Sequence, residues 1–407
     1  MKHSINLPTQ ETAKLPAEVA KKWTAIFGGL GALGLLGAAA GFASEATREQ
    51  TLFSYHTAFV FVLSLSLGSL FFTVLQHLVG ARWSVAVRRI PETLMSNFGV
   101  LALLGIPAVL YGVYGHPHIF HWANLEDVAK DPILTAKQGY LNPTFFSIRL
   151  FIYFGMWMAM AGFFYKNSVA SDSSGDVSFV QKMRRFSAPS MVLFALSQTF
   201  ASLDLLMSLD PHWFSTIFGV YFFAGSIVAT FSLITMVALL MRSNGLLTDV
   251  ITHEHYHDLG KLMFGFTVFW TYIGFSQYFL IWYSNIPEET VYFLHRWEGS
   301  WQPLSLLLLI GRFVMPFFII MSKHVKRTLP VLFVMTIWMV GMQYVDIYWM
   351  VMPTLHKEGF SFHWLDVSCL LGVVGIWSMF AVRRFASASL VPVQDPYLEK
   401  SMEFENV

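Results

Sequence analysis

The sequence predicts an all-α protein that crosses a membrane ten times. Three observations carry this: composition, the lengths of the apolar stretches and the placement of basic residues. Of 407 residues, 55% are hydrophobic and 13% charged, with a mean hydropathy of +0.54, outside the range of soluble multidomain chains. A net charge of +1 recruits no nucleic acid in bulk, so charge matters here only by position. The single cysteine, Cys369, excludes an internal disulfide, a four-cysteine iron–sulfur site and covalent c-type haem attachment within the chain.

The apolar stretches, each near the roughly 20 residues a helix needs to cross hydrocarbon, fall at about 23–42, 52–76, 94–114, 145–165, 188–207, 214–241, 261–283, 302–321, 329–352 and 364–382. The opening residues, MKHSINLPTQETAKLPAEVAKK, are polar, and no small-residue cleavage site closes the first apolar run, so that run is expected to be a retained span. The organisation expected is a cytoplasmic segment 1–22, a ten-helix membrane domain 23–382 and a cytoplasmic tail 383–407. Loops 115–144 and 166–187 are the only sizeable pieces between spans, too short for soluble domains.

An even span count places both termini on one side. Nineteen basic residues then fall on the terminal side, from Lys2 to Lys400, and five on the other: Arg48, Lys130, Lys137, Arg296 and Lys357. By the positive-inside rule both termini are expected in the cytoplasm. The opposite face carries ten acids against its five bases, a surface that suits a basic partner or merely reflects where acids are left to collect.

Only Arg149 and Arg312 of the 26 basic residues fall inside spans, joined there by Asp204 and Asp346. Ionisable side chains in a span cost a few kcal/mol, so they face the interior, pair, and often mark a substrate or proton path. At about 1.5 Å of rise per residue, Arg149 lies about 6 Å in from the far side and Asp204 about 24 Å along from the terminal side, so the two can meet. Arg312 lies about 15 Å in from the far side and Asp346 about 26 Å along the next span, within reach of a snorkelling arginine.

A weak internal repeat links the spans. Tyr55-His56 and Gly68-Ser69 in the second match His212-Trp213 and Gly225-Ser226 in the sixth, with an arginine two helices later and an aspartate one helix after that. Spans two to five (about 52–207) and six to nine (about 214–352) thus read as two four-helix bundles, each with a His, Arg, Asp set in its outer half. Each arginine–aspartate pair is either a buried ion pair that fixes helix register or, with its histidine, a group able to take a proton from a quinol hydroxyl. A haem b would need His56 and His212 at matching depth on facing helices.

Two histidine clusters have weaker spacing. THEHYHD places His253, His255 and His257 two apart, which suits a helix start better than a metal site, with Asp258 as a cap and Lys261 as a membrane anchor. GHPHIFHW brings His116, His118 and His121 together in the outer loop. No bound metal or haem is expected in the chain.

Three strings, LDLLMSLDPHWFSTIFGVYFFAGS (203–226), HDLGKLMFGFTVFWTYIGFSQYFLIWYSNIPEET (257–290) and HRWEGSW (295–301), resemble the NrfD or polysulfide-reductase family of membrane subunits. Within that family the chain looks most like the smaller of the two such subunits of bacterial alternative complex III, a quinol oxidoreductase. The resemblance spans helices two to nine. It implies two four-helix bundles, residence in the bacterial inner membrane, no redox metal of the chain's own, and quinone or quinol (menaquinone or ubiquinone) in the outer part of the first bundle, where His56, Arg149 and Asp204 fit by depth. It implies as partners a larger sister subunit, a periplasmic iron–sulfur protein and multihaem c-type cytochromes, with a terminal oxidase as a further candidate, and no catalysis by the isolated chain.

A proton path is expected to rise from Asp249, His253 and Asp258 through Gln277, Arg312, Gln343 and Asp346 and to leave near Asp210, His212 and Glu288. Two other classes compete. A secondary transporter would also have two related bundles with midplane charges, although only Pro107 and Pro316 interrupt these spans. A structural anchor for cytochromes would tolerate apolar replacement of the arginine–aspartate pairs.

Overall fold

The computed structural model describes residues 7–406, so Lys2, the first of the basic residues counted above, lies outside the described residues. Among them there are helices and no strands. Helices α1 (Ala17–Ala43) and α2 (Glu45–Val79) are separated only by Ser44, and α2 stops at Gly80, whose φ of 62° lets its N–H reach back to the carbonyls of Gln76 and His77. The stretch expected as one span from residue 94 begins earlier and is broken. Helix α3 (Val85–Met95) is buried throughout, and α4 (Phe98–Tyr114) resumes after Ser96, whose hydroxyl donates to the Thr93 carbonyl at 2.7 Å and competes with the helical ladder.

Short helices α5 (Leu125–Lys130) and α6 (Pro132–Lys137), capped by the side chains of Asn124 and Asp131, fill the following loop. Asn142 caps α7 (Pro143–Ser174), and α8 (Ser178–Leu205) follows almost at once. Loop 166–187 of the sequence prediction is therefore mostly helix, because its polar residues lie on the ends of two long helices; only residues 175–177 connect them.

Next come α9 (Phe218–Ser243), α10 (His253–Ser284) and the short α11 (Pro287–Trp297). Helix α12 (Gln302–Leu307) widens into a π-helical segment, Leu308–Val314, before α13 (Met315–Met321) and α14 (Lys323–Arg327). The chain ends with α15 (Leu329–Val351), α16 (Trp364–Ala386) and α17 (Leu398–Met402).

Nine helical stretches among the described residues are long and apolar enough to cross a membrane. The expected seventh span lies in α10, which at 32 residues is just as long. Its apolar run is diluted by Thr267, Trp270, Thr271, Tyr272, Ser276 and Gln277, which explains why its composition falls short.

Helix α2 is the centre of the fold, with nearly every residue from Gln50 to His77 buried among other helices. It meets α9 where a Cβ on Gly68 would lie 2.0 Å from Thr230 Oγ1, so only glycine allows this approach. The outermost pair, α1 and α16, is zipped by small residues: a Cβ on Gly34 would lie 2.2 Å from the Gly372 nitrogen, and one on Gly375 would lie 2.5 Å from the Gly31 nitrogen. Leu390, Val391 and Leu398 of the C-terminal segment are buried, and the Leu390 N–H donates to the Ala13 carbonyl at 2.7 Å. Both terminal segments thus belong to one packed face of the molecule, called here the terminal face.

Candidate functional site

Each of the two arginine–aspartate pairs is closed in the structure. In the first, Arg149 of α7 grips Asp204 of α8 with two bonds, Nε to Oδ2 at 2.8 Å and Nη2 to Oδ1 at 2.9 Å. Tyr153, one turn beyond Arg149, donates its hydroxyl to Asp204 Oδ2 at 2.8 Å. The arginine also stacks over Tyr140, 3.8 Å from the ring centre, and donates to that residue's carbonyl. Burial, with the Asp204 charge adding to it, pushes the Tyr140 hydroxyl up to about 12.

In the second set Arg312 Nη1 lies 3.0 Å from Asp346 Oδ2, and Tyr221 of α9 donates to Oδ1 at 2.6 Å. Arg312 also bonds the carbonyls of Met342 and Gly225 and the side-chain oxygen of Gln343, while Trp270 lies under its guanidinium. Arg312 and Asp346 are each 1% exposed. Arg312 sits in the π-helical segment, whose extra residue per turn belongs to the wall of this set.

The histidines divide. His56 is buried and bonds the Leu205 carbonyl at 2.7 Å, next to Asp204 in sequence. His212 does not join Arg312 and Asp346: it sits half-exposed in the turn before α9 and meets Asp131 Oδ2 at 2.5 Å. The match of His212 with His56 therefore fails, and the third member of the second set is the tyrosine at 221. The same placement removes His56 and His212 as a facing pair for haem.

The expected proton path falls into separate pieces. Asp249 and His253 are exposed on the terminal face, and Asp258 pairs with Lys261 at 2.5 Å. Asp258 does not cap α10, which starts five residues earlier at His253, on a Thr252 cap that His255 completes. Gln277 accepts from Ser215 at 3.2 Å, and Gln343 donates to Ser64 of α2 at 3.2 Å. Asp210 is half-buried and Glu288 exposed. No hydrogen bond among the described residues joins these pieces.

Two further buried polar groups went unread in the sequence. Asp366, 1% exposed at the start of α16, accepts from Ser54 at 2.5 Å, Gln50 at 3.1 Å and the His363 N–H at 2.9 Å, and no lysine or arginine among the described residues pairs with it. Gln50 in turn meets His356 Nε2 at 2.7 Å. On the terminal face Arg88 bonds Glu92 and Asp395, and Arg89 pairs with Glu92 and Asp172. These arginines, counted among the nineteen basic residues of the terminal side, pair with buried acids. The signal was present in RRIPETLM, where Glu92 stands three and four residues after the two arginines.

Beside His56 the space is about 10 Å³, enough for about one water and too small for a quinone ring. A cleft of about 590 Å³ lies instead between α10, α11 and the π-helical segment, with Tyr221 and Trp270 of the second set in its wall.

No family model matches the chain, and no curated protein matches it.

Proposed function

We propose that this chain is a ten-span membrane subunit of a quinol oxidoreductase of the alternative complex III type, binding quinone and transferring protons while partner chains carry the electrons. It resides in the bacterial inner membrane with both termini in the cytoplasm. The observation that carries the proposal is the pair of buried Arg–Asp–Tyr sets, one in each half, built inside apolar helices where an ion pair of purely structural use is costly. The resemblance of residues 203–226, 257–290 and 295–301 to the NrfD-like subunits supports the same reading. Its partners are then a larger sister subunit, an iron–sulfur protein, multihaem cytochromes and lipids, with a terminal oxidase as a further candidate.

His56, Arg149, Asp204 and Asp346 carry the proton chemistry in this proposal, the carboxylates exchanging protons through Tyr153 and Tyr221. A transporter is less well supported, because the two helix irregularities, at Ser96 and at Leu308–Val314, do not occupy matching places in the two halves. The test is purification through a C-terminal tag from native membranes, followed by haem and iron assay and quinol-dependent cytochrome reduction. Co-elution of haem and iron–sulfur chains with quinol oxidation is expected; a chain that elutes alone and haem-free overturns the proposal. In the active complex, Asp346→Ala should abolish proton translocation and spare assembly, and an unchanged proton-to-electron ratio would remove Asp346 from the path.

A further inference from the structure

The cleft in the second half has the chemistry of a site for a flat ring with oxygen acceptors and an apolar chain. Its volume, about 590 Å³, is in the range of small-molecule sites. Nine of the seventeen residues around it are aromatic and none is acidic. Planar faces of this kind stack a ring, and the absence of carboxylates leaves hydrogen-bond donors to decide what enters.

Two donors stand ready. Gln277 is buried and lines the cleft; its oxygen is taken by Ser215, while its amide nitrogen bonds no group among the described residues. Arg296, 1% exposed, stacks on Tyr292 at 3.5 Å and donates to the carbonyls of Tyr292, Trp349 and Met350. A guanidinium has five N–H groups, so two remain for a ligand. No acid among the described residues pairs with Arg296.

Exposed Tyr272, Phe275 and Leu309 mark the side on which the cleft opens, so a long apolar chain leaves it among the lipids. At its inner wall Tyr221 connects the cleft to Asp346 by one hydrogen bond.

We propose that this cleft binds the ring of an isoprenoid quinone, its oxygens held by Gln277 and Arg296, and that the first half, with its closed Arg149–Asp204 pair, does not. This rests on the quinol-oxidoreductase reading above.

The test uses the purified complex and a photoreactive quinone analogue, with cross-links mapped by mass spectrometry. Labelling within residues 268–313 is expected. Gln277→Leu and the cleft-filling Leu309→Trp should each lower that labelling about tenfold, as loss of one well-placed contact does. Leu193→Trp, on the exposed face of α8, should leave it unchanged. In a complex that oxidises quinol, label confined to α2, α7 and α8, or a cleft that co-purifies with phospholipid alone and takes no label, overturns the assignment of the cleft. A complex that neither oxidises quinol nor takes label anywhere overturns the underlying function instead.

Discussion

Tyr221 serves Asp346 from a helix that contributes nothing else to that carboxylate, whereas Tyr153 serves Asp204 from the helix that already carries Arg149. Asp204 has two arginine bonds in addition to its tyrosine; Asp346 has one arginine contact. Tyr221→Phe should therefore destabilise the protein more than Tyr153→Phe, with a loss of about 1.5 to 3 kcal/mol for a bond to a charged group. Unfolding of both variants in the same detergent checks the order, and equal or inverted losses would show that the two carboxylates do not differ in this way.

Removing one partner of the Arg312–Asp346 pair leaves a buried charge without its counter-ion, at a cost of about 3 to 5 kcal/mol. Arg312→Leu and Asp346→Leu should each show it, and the double variant should recover most of it. A double-mutant cycle on thermal unfolding measures the coupling, and additive losses would mean that the pair is not an energetic unit.

Gly225 is a glycine for reasons of space. A Cβ there would lie 2.9 Å from Arg312 Nη2, 3.1 Å from Gln343 Oε1 and 3.3 Å from Asp346 Oδ2. Gly225→Ala should shift the arginine and reduce proton translocation, while Gly29→Ala, with nothing within 4 Å, should be silent. The ratio of protons to electrons in reconstituted complexes reads the difference.

The contact between Asp131 and His212 fastens the loop between α4 and α7 to the turn before α9. The histidine bond holds the Asp131 carboxyl below its usual range. A carboxylate with a lowered folded-state value contributes above the unfolded value, near 3.9, and the contribution is lost as pH falls through the lowered one. The loop should resist proteolysis from neutral pH down to about 5 and become susceptible below about 4, and Asp131→Asn should be susceptible throughout. Proteolysis rates at matched protease activity decide it.

Much of this architecture was legible in residue types and spacing. Depth counting along the helices put Arg149 with Asp204 and Arg312 with Asp346, because both partners must hide from lipid and helical rise is fixed. His212 misled because its partner, Asp131, lies 81 residues away in a loop with no periodic signal. Asp258 looked like a helix start because the cap on Thr252 depends on a histidine, an unusual third residue of such a box. Arg88 and Arg89 were counted only as terminal-side charges, and two of their acids, Asp172 and Asp395, come from the end of α7 and from the tail. The wide cleft left no trace in the pattern, since it arises from how α10 and α11 splay against a π-helical turn.

Helix α2 has a consequence for biogenesis. Two of its serines find partners late in the chain: Ser54 in Asp366, and Ser66 in the Trp377 indole at 3.1 Å, both on α16. While the ribosome is still making the middle of the protein, α2 sits in the bilayer without those α16 partners and with its flanks open to lipid. A nascent chain stalled before α16 should therefore be prey to membrane proteases and quality control, and only release of the last helix seals the one made second.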